Sequence, residues 1–112
     1  AELVDGRWRD DQVDPEHLAV LVRTERQWTP LRSFVRLDAP GFRVKSALHY
    51  PQAWALVHFL LNSRTENAKR IDVLLAELAA GTARLRAVER AFDGVDWREL
   101  ESDLRDHVAS LR

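Results

Sequence analysis

Residues His49 to Leu61 read H-Y-P-Q-A-W-A-L-V-H-F-L-L, and no other stretch constrains the fold as strongly. Wound as a helix at 100° per residue, Ala53, Leu56, Val57 and Leu60 cover one side, and Trp54, His58 and Leu61 continue around the next. Gln52 and Ser63, with Asn62 nearby, form the one polar strip. A helix apolar on most sides must be covered from several directions, so it is expected at the centre of a bundle, over about residues 51–63. Pro51 is expected to open it, because proline suits a first helical turn. A residue before proline is disfavoured in helical geometry, which places Tyr50 at the helix entrance. There its phenol can face whatever lies above the N-terminus, where free N–H groups favour developing negative charge.

The remaining chain supplies the cover. Asp14-Pro15 reads as an N-cap followed by proline at the first helical position, with Leu18, Leu21 and Val22 as an apolar stripe running to about Gln27. Thr29-Pro30 repeats the device for a short helix carrying Leu31, Phe34, Val35 and Leu37, broken at Pro40-Gly41. A loop is expected from Pro40 to Tyr50. Thr65 is expected to cap a helix with Ala68, Ile71, Leu74, Leu75 and Leu78, stopped by a left-handed Gly81. Thr82 opens a further helix with Leu85, Val88, Ala91 and Phe92, stopped by Gly94, and Asp96-Trp97-Arg98-Glu99 opens the last. Its stripe is Trp97, Leu100, Leu104, Val108 and Leu111. No alternating segment of strand length competes. The expected fold is all-α, a compact bundle of about five to six short helices around a central apolar one, in a single domain spanning 1–112. The fourth and last helices are its natural cover.

Composition narrows the function classes. The 112 residues suffice for one core, and 46% hydrophobic with 31% charged residues suits a globular chain. A net charge of −1, with both signs interleaved, offers no field to attract nucleic acid. Fifteen arginines against two lysines are expected to make ion pairs within their helices. There is no cysteine for a disulfide or thiolate site, and the apolar run Ala53 to Leu61 is too short to span a bilayer. The chain starts with Ala and contains no Met, which leads us to expect a piece of a longer polypeptide without a signal peptide of its own.

Side chains that could carry chemistry are scattered. His17, His49, His58 and His107 lack zinc-ligand spacing and are expected to be surface or hydrogen-bonded imidazoles, with His58 bonded inside the core. Asp10, Asp11 and Asp14 lack the glycine and terminal Glu of a calcium loop. Trp8, Trp28, Trp54 and Trp97 lie beside apolar stripes and are expected to pack in the core. No phosphate-binding glycine loop or nucleophile motif is present.

One series is more specific. Pro30-Leu31, then Tyr50-x-x-Ala53-Trp54-Ala55-Leu56-Val57-His58-Phe59-Leu60, then Leu74, Leu78, Gly81, Ala91-Phe92 and Leu100-Glu101 resembles the helical C-terminal part of bacterial gluzincin-type, peptidase MA-like metallopeptidases, a group long classed as a domain of unknown function. The resemblance covers most of the chain, with Tyr50 to Leu61 carrying its weight. It implies an upstream half of the same polypeptide in which H-E-x-x-H and a later Glu bind zinc. Neither motif is complete here, so this chain is expected to hold no metal or cofactor and to be inert alone, with zinc implied for the full-length parent. In related zinc aminopeptidases a tyrosine in a Y-x-x-G-x-x-L-L pattern donates to the oxyanion of the tetrahedral intermediate. Tyr50 matches that place, with Ala53 in place of the glycine, which makes Tyr50 the one candidate catalytic residue. The resemblance also implies a bacterial source, frequent export of the parent and a peptide substrate.

A second reading treats the chain as a non-catalytic helical protein–protein interaction module, since arginine and tryptophan are favoured at binding hot spots. Both readings predict an exposed apolar patch. A patch centred on Tyr50 favours the peptidase subdomain, and one distant from it favours the module.

Overall fold

The computed structural model describes residues 13–112 in full and, for the N-terminal segment, the backbone of 2–4 and 7–9. The chain is an all-α bundle, joined by one short hairpin that the sequence pattern does not announce. Strands β1 (Glu2–Val4) and β2 (Arg7–Arg9) pair antiparallel with Leu3 opposite Trp8. At three residues each they are too short to show an alternating signature. The side chains of Trp8, Asp10 and Asp11 lie outside the described residues.

Helix α1 (Pro15–Arg23) starts as the sequence predicts, with the Asp14 carboxylate accepting from the N–H groups of Glu16 and His17. It stops four residues short of Gln27. Thr24 folds its N–H and hydroxyl back onto the Val20 carbonyl, and a 3-10 turn covers Glu25–Gln27. This delivers Trp28 to the core, where its indole N–H donates to the Leu21 carbonyl at 3.1 Å and Arg105 stacks on its ring.

Helix α2 (Leu31–Phe34) follows Pro30, but Thr29 does not cap it. The Glu101 carboxylate accepts from the Leu31 N–H at 2.9 Å, a cap delivered across the fold. The expected loop after Asp38 is instead a helix, α3 (Ala39–Val44), capped by Asp38 accepting from Gly41 N–H. Pro40 occupies its first turn, where no N–H is needed, so Pro40-Gly41 starts a helix here and breaks none.

The apolar helix α4 (Ser46–Asn62) is central as predicted, packed by α1, α3, α5 (Thr65–Ala79) and α7 (Trp97–Ser110). Its entrance lies five residues before Pro51, because α3 leads into it through Lys45 alone. Pro51 therefore stands inside the helix, and the preference of Tyr50 for extended backbone is overridden. The bond lost is that to the carbonyl of Ala47, an exposed residue near the helix start, where water can replace the missing donor. Cover comes from α1 as well as from α5 and α7. Helix α5 begins at Thr65 with no side-chain cap, and α6 (Arg84–Ala91) begins two residues beyond Thr82, whose hydroxyl bonds Glu77 instead. Gly81 and Gly94 take φ of 85° and 72°, the left-handed stops expected of them. With α3 included, the described residues form seven α-helices.

Among the described residues the arginine ion pairs are not the intrahelical ones expected. Among the described residues Arg90 pairs with Glu77 and Arg105 with Glu25, each between elements. Others close helix ends by donating to carbonyls: Arg70 to Ala91 and Asp93, and Arg84 to Arg36 and Leu37.

Candidate functional site

The central helix departs from the sequence expectation at two places: Leu56 and Leu60 are buried and Asn62 and Ser63 exposed as expected, but Val57 faces out and Gln52 faces in. Gln52, assigned to the polar strip, is buried at 6% exposure. Its amide grips the backbone of Thr29, accepting from the N–H at 3.1 Å and donating to the carbonyl at 3.0 Å. His49, also buried, completes the grip. A carbonyl can only accept, so Nδ1–H donates to Phe42 at 2.8 Å, and in the neutral ring Nε2 accepts from the Thr29 hydroxyl at 2.9 Å. The physical cause is the α1–α2 connection. Its backbone leaves the helical pattern between Trp28 and Pro30 and needs partners inside the fold. Helix α4 therefore sends Gln52 and His49 inward beside Leu56, Phe59 and Leu60, and a second apolar face is left outward.

That outward side carries Tyr50, Trp54, Val57 and Leu61, spaced i, i+4, i+7 and i+11 along one face. Tyr50 is 61% exposed and Val57 36%, and Trp54 and Leu61 are half-buried. The Tyr50 ring stands edge-on to Phe42 at 5.0 Å, and Phe42 in turn touches Phe34 and His49. The ring is thus propped from below while its phenol points away from the core. Among the described residues nothing hydrogen-bonds that phenol. Because α4 begins at Ser46, Tyr50 sits past the first helical turn, so the free N–H groups of a helix start do not surround it. The electrostatic support expected from the helix entrance is absent.

Beside Tyr50, α1 and α4 enclose a shallow depression of about 310 Å³. Val20 and Pro51 contribute apolar surface, and Glu16, His17 and Ser46 bring a carboxylate, an imidazole and a hydroxyl. His17 also lies against Trp54, with ring centroids 5.9 Å apart, and 3.8 Å from the Asp14 carboxylate. Among the described residues these polar groups do not bond one another, so no nucleophile is paired with a base. Sequence reasoning does not bring Glu16 and His17 to Tyr50, because the pairing of α1 with α4 is tertiary, and it misses Ser46 because a loop is expected where α4 begins.

The other predicted residues are placed as follows. His58 is buried and bonded in the core as expected, and its partner is His107 of α7, Nδ1 to Nε2 at 2.8 Å. Trp28 is buried, and Trp54 and Trp97 are half-buried against the core. Among the described residues no three His, Cys, Asp or Glu side chains converge to hold a metal ion. No described helix is long and apolar enough to cross a membrane. A second exposed apolar group, Leu75, Leu78 and Leu85, lies on α5 and α6. Set against family models, curated proteins and solved structures, the chain matches none.

Proposed function

We propose that this chain is the helical C-terminal subdomain of a zinc metallopeptidase-like protein, and that the outward face of α4 is where it packs against the upstream catalytic half. The observation that carries this reading is the second, partly uncovered apolar face of the central helix, with Tyr50, Trp54, Val57 and Leu61 outward while Gln52 and His49 are held inward. Fully burying one large apolar side chain contributes about 1.5–3 kcal/mol, so covering the exposed remainder of this stripe would stabilise an assembly by several kcal/mol. In that assembly the depression beside Tyr50 forms part of the cleft wall. Tyr50 donates its phenolic O–H to the carbonyl oxygen of a bound peptide, where negative charge develops. Zinc belongs to the upstream half, and the subdomain alone is inert.

The test uses the parent polypeptide with its upstream sequence restored. Bound zinc, peptide hydrolysis and a loss of about 10²–10³-fold in kcat for Tyr50→Phe at unchanged zinc content are expected. A parent without zinc, or a Tyr50→Phe variant with full activity, defeats the reading.

The Leu75, Leu78 and Leu85 group favours a second reading, a non-catalytic protein–protein interaction module. On that reading Leu78→Asp abolishes association with the partner while Val57→Asp leaves it intact, the reverse of the order expected for the peptidase subdomain.

A further inference from the structure

His58 and His107 meet at the contact between α4 and the last turn of α7. His58 is 3% exposed, and its Nε2 is buried without a hydrogen-bond partner. That orphaned atom decides the direction of the bond. If His107 donated, His58 would carry its proton on Nε2 as a buried, unsatisfied N–H, the costlier arrangement. His58 Nδ1–H therefore donates, and His107 Nε2 accepts. The rings are locked in place: Trp54 lies 5.3 Å from His58, and Phe59 lies 5.5 Å from His107.

We infer that this pair is a proton-operated clamp, which holds the C-terminal turns of α7 on the central helix while both rings are neutral and lets them detach in mild acid. Two lone pairs could take a proton, His107 Nε2 and His58 Nε2, but at His58 Nε2 the new N–H would be buried with nothing to receive it, so the proton is taken at His107 Nε2, the atom accepting the bond. Once it is there, two N–H donors face each other. His58 can restore the bond only by shifting its own proton to Nε2, where nothing receives it. Detaching the last turns frees both rings to water.

The surroundings set the direction. On α7, Asp103 lies one turn before His107 on the same face and Asp106 immediately precedes it, while Arg105 stands on the opposite side, engaged by Glu25 and Trp28. From α1, His17 reaches the cluster through Trp54. From α4, the rings of Trp54 and Phe59 do not titrate. A last-turn position and Asp103 favour an imidazolium. Burial first, and His58 second, nevertheless hold His107 below the ordinary imidazole value of 6.5. A base whose proton affinity is depressed by folding contributes stability that is complete above about pH 6.5 and is lost as pH falls through its lower, folded value.

The test compares wild type with His107→Gln, whose amide oxygen still accepts from His58 but does not titrate. Amide exchange of His107 to Leu111, corrected for intrinsic rates, is followed from about pH 7.5 to about pH 5.5, the range in which histidine changes charge. Opening of these turns should rise severalfold in wild type and stay level in the variant, from equal values at the upper end. Titration of the wild-type His107 ring by NMR is a separate check that needs no variant, and its midpoint should fall below 6.5. An equal rise in both proteins, or a midpoint at or above the ordinary value, overturns the clamp.

Discussion

Replacing Gln52 by leucine should destabilise the chain, although it puts an apolar residue of similar size at a buried position of an apolar helix. The side chain is 6% exposed, and its amide makes both hydrogen bonds that the Thr29 backbone receives from α4. Leucine would fill the volume and leave the Thr29 N–H and carbonyl without partners. Each stranded buried group costs about 1–3 kcal/mol. Discounting for Thr29 being only half-buried, the pair amounts to about 2–4 kcal/mol. A domain of this size is stable by about 5–15 kcal/mol in total, so the loss is a large share. In a thermal scan it corresponds to roughly 10 °C. The control is Val57→Gln on the outward face, which exposes no cavity and strands no donor. It should stay within about 0.5 kcal/mol of wild type. Urea unfolding of the three proteins followed by circular dichroism gives both numbers. A Gln52→Leu variant as stable as wild type, with Val57→Gln clearly destabilised, would refute the assigned orientation of α4.

Trp28→Phe should cost about 1–3 kcal/mol, by losing the bond to the Leu21 carbonyl and the stacked Arg105 guanidinium, and denaturant unfolding reads it directly. Glu77 is held below the ordinary carboxyl value of 4.5, first by the Thr82 hydroxyl and then by Arg90. The stability it contributes is therefore complete above about pH 4.5 and is lost as pH falls through the lower, folded value. By NMR titration Thr82→Ala and Arg90→Ala should each move the Glu77 midpoint upward.

Much of the fold is written locally and reads accordingly. Asp14, Asp96, Gly81 and Gly94 act within one turn of themselves, and each ends or begins a helix where its chemistry predicts. The central place of α4 is legible because a helix apolar on most of its sides needs cover from several neighbours. Its orientation is not. Which side faces inward depends on Thr29, twenty or more residues away, whose backbone claims Gln52 and whose hydroxyl claims His49. Pro51 misleads for a related reason. Its local preference for a helix start is outweighed by the continuity of α3 into α4. Pro40 errs the other way, since Asp38 turns an apparent breaker into a first-turn residue. The candidacy of Tyr50 comes from its neighbours in sequence, whereas Glu16 and His17 beside it come from α1. Likewise the pairing of His58 with His107 has no trace in their spacing, because two helices meet there only after the core has formed.

The orientation of the central helix can be read on the unmodified protein. NMR in the presence of a soluble paramagnetic agent should broaden the Tyr50 ring and the Val57 methyl signals. The Gln52 side-chain amide protons should stay sharp and show cross-relaxation to Thr29. Broadened Gln52 amide signals beside protected Val57 methyls would mean that the polar side faces solvent and that the docking face assigned to α4 does not exist.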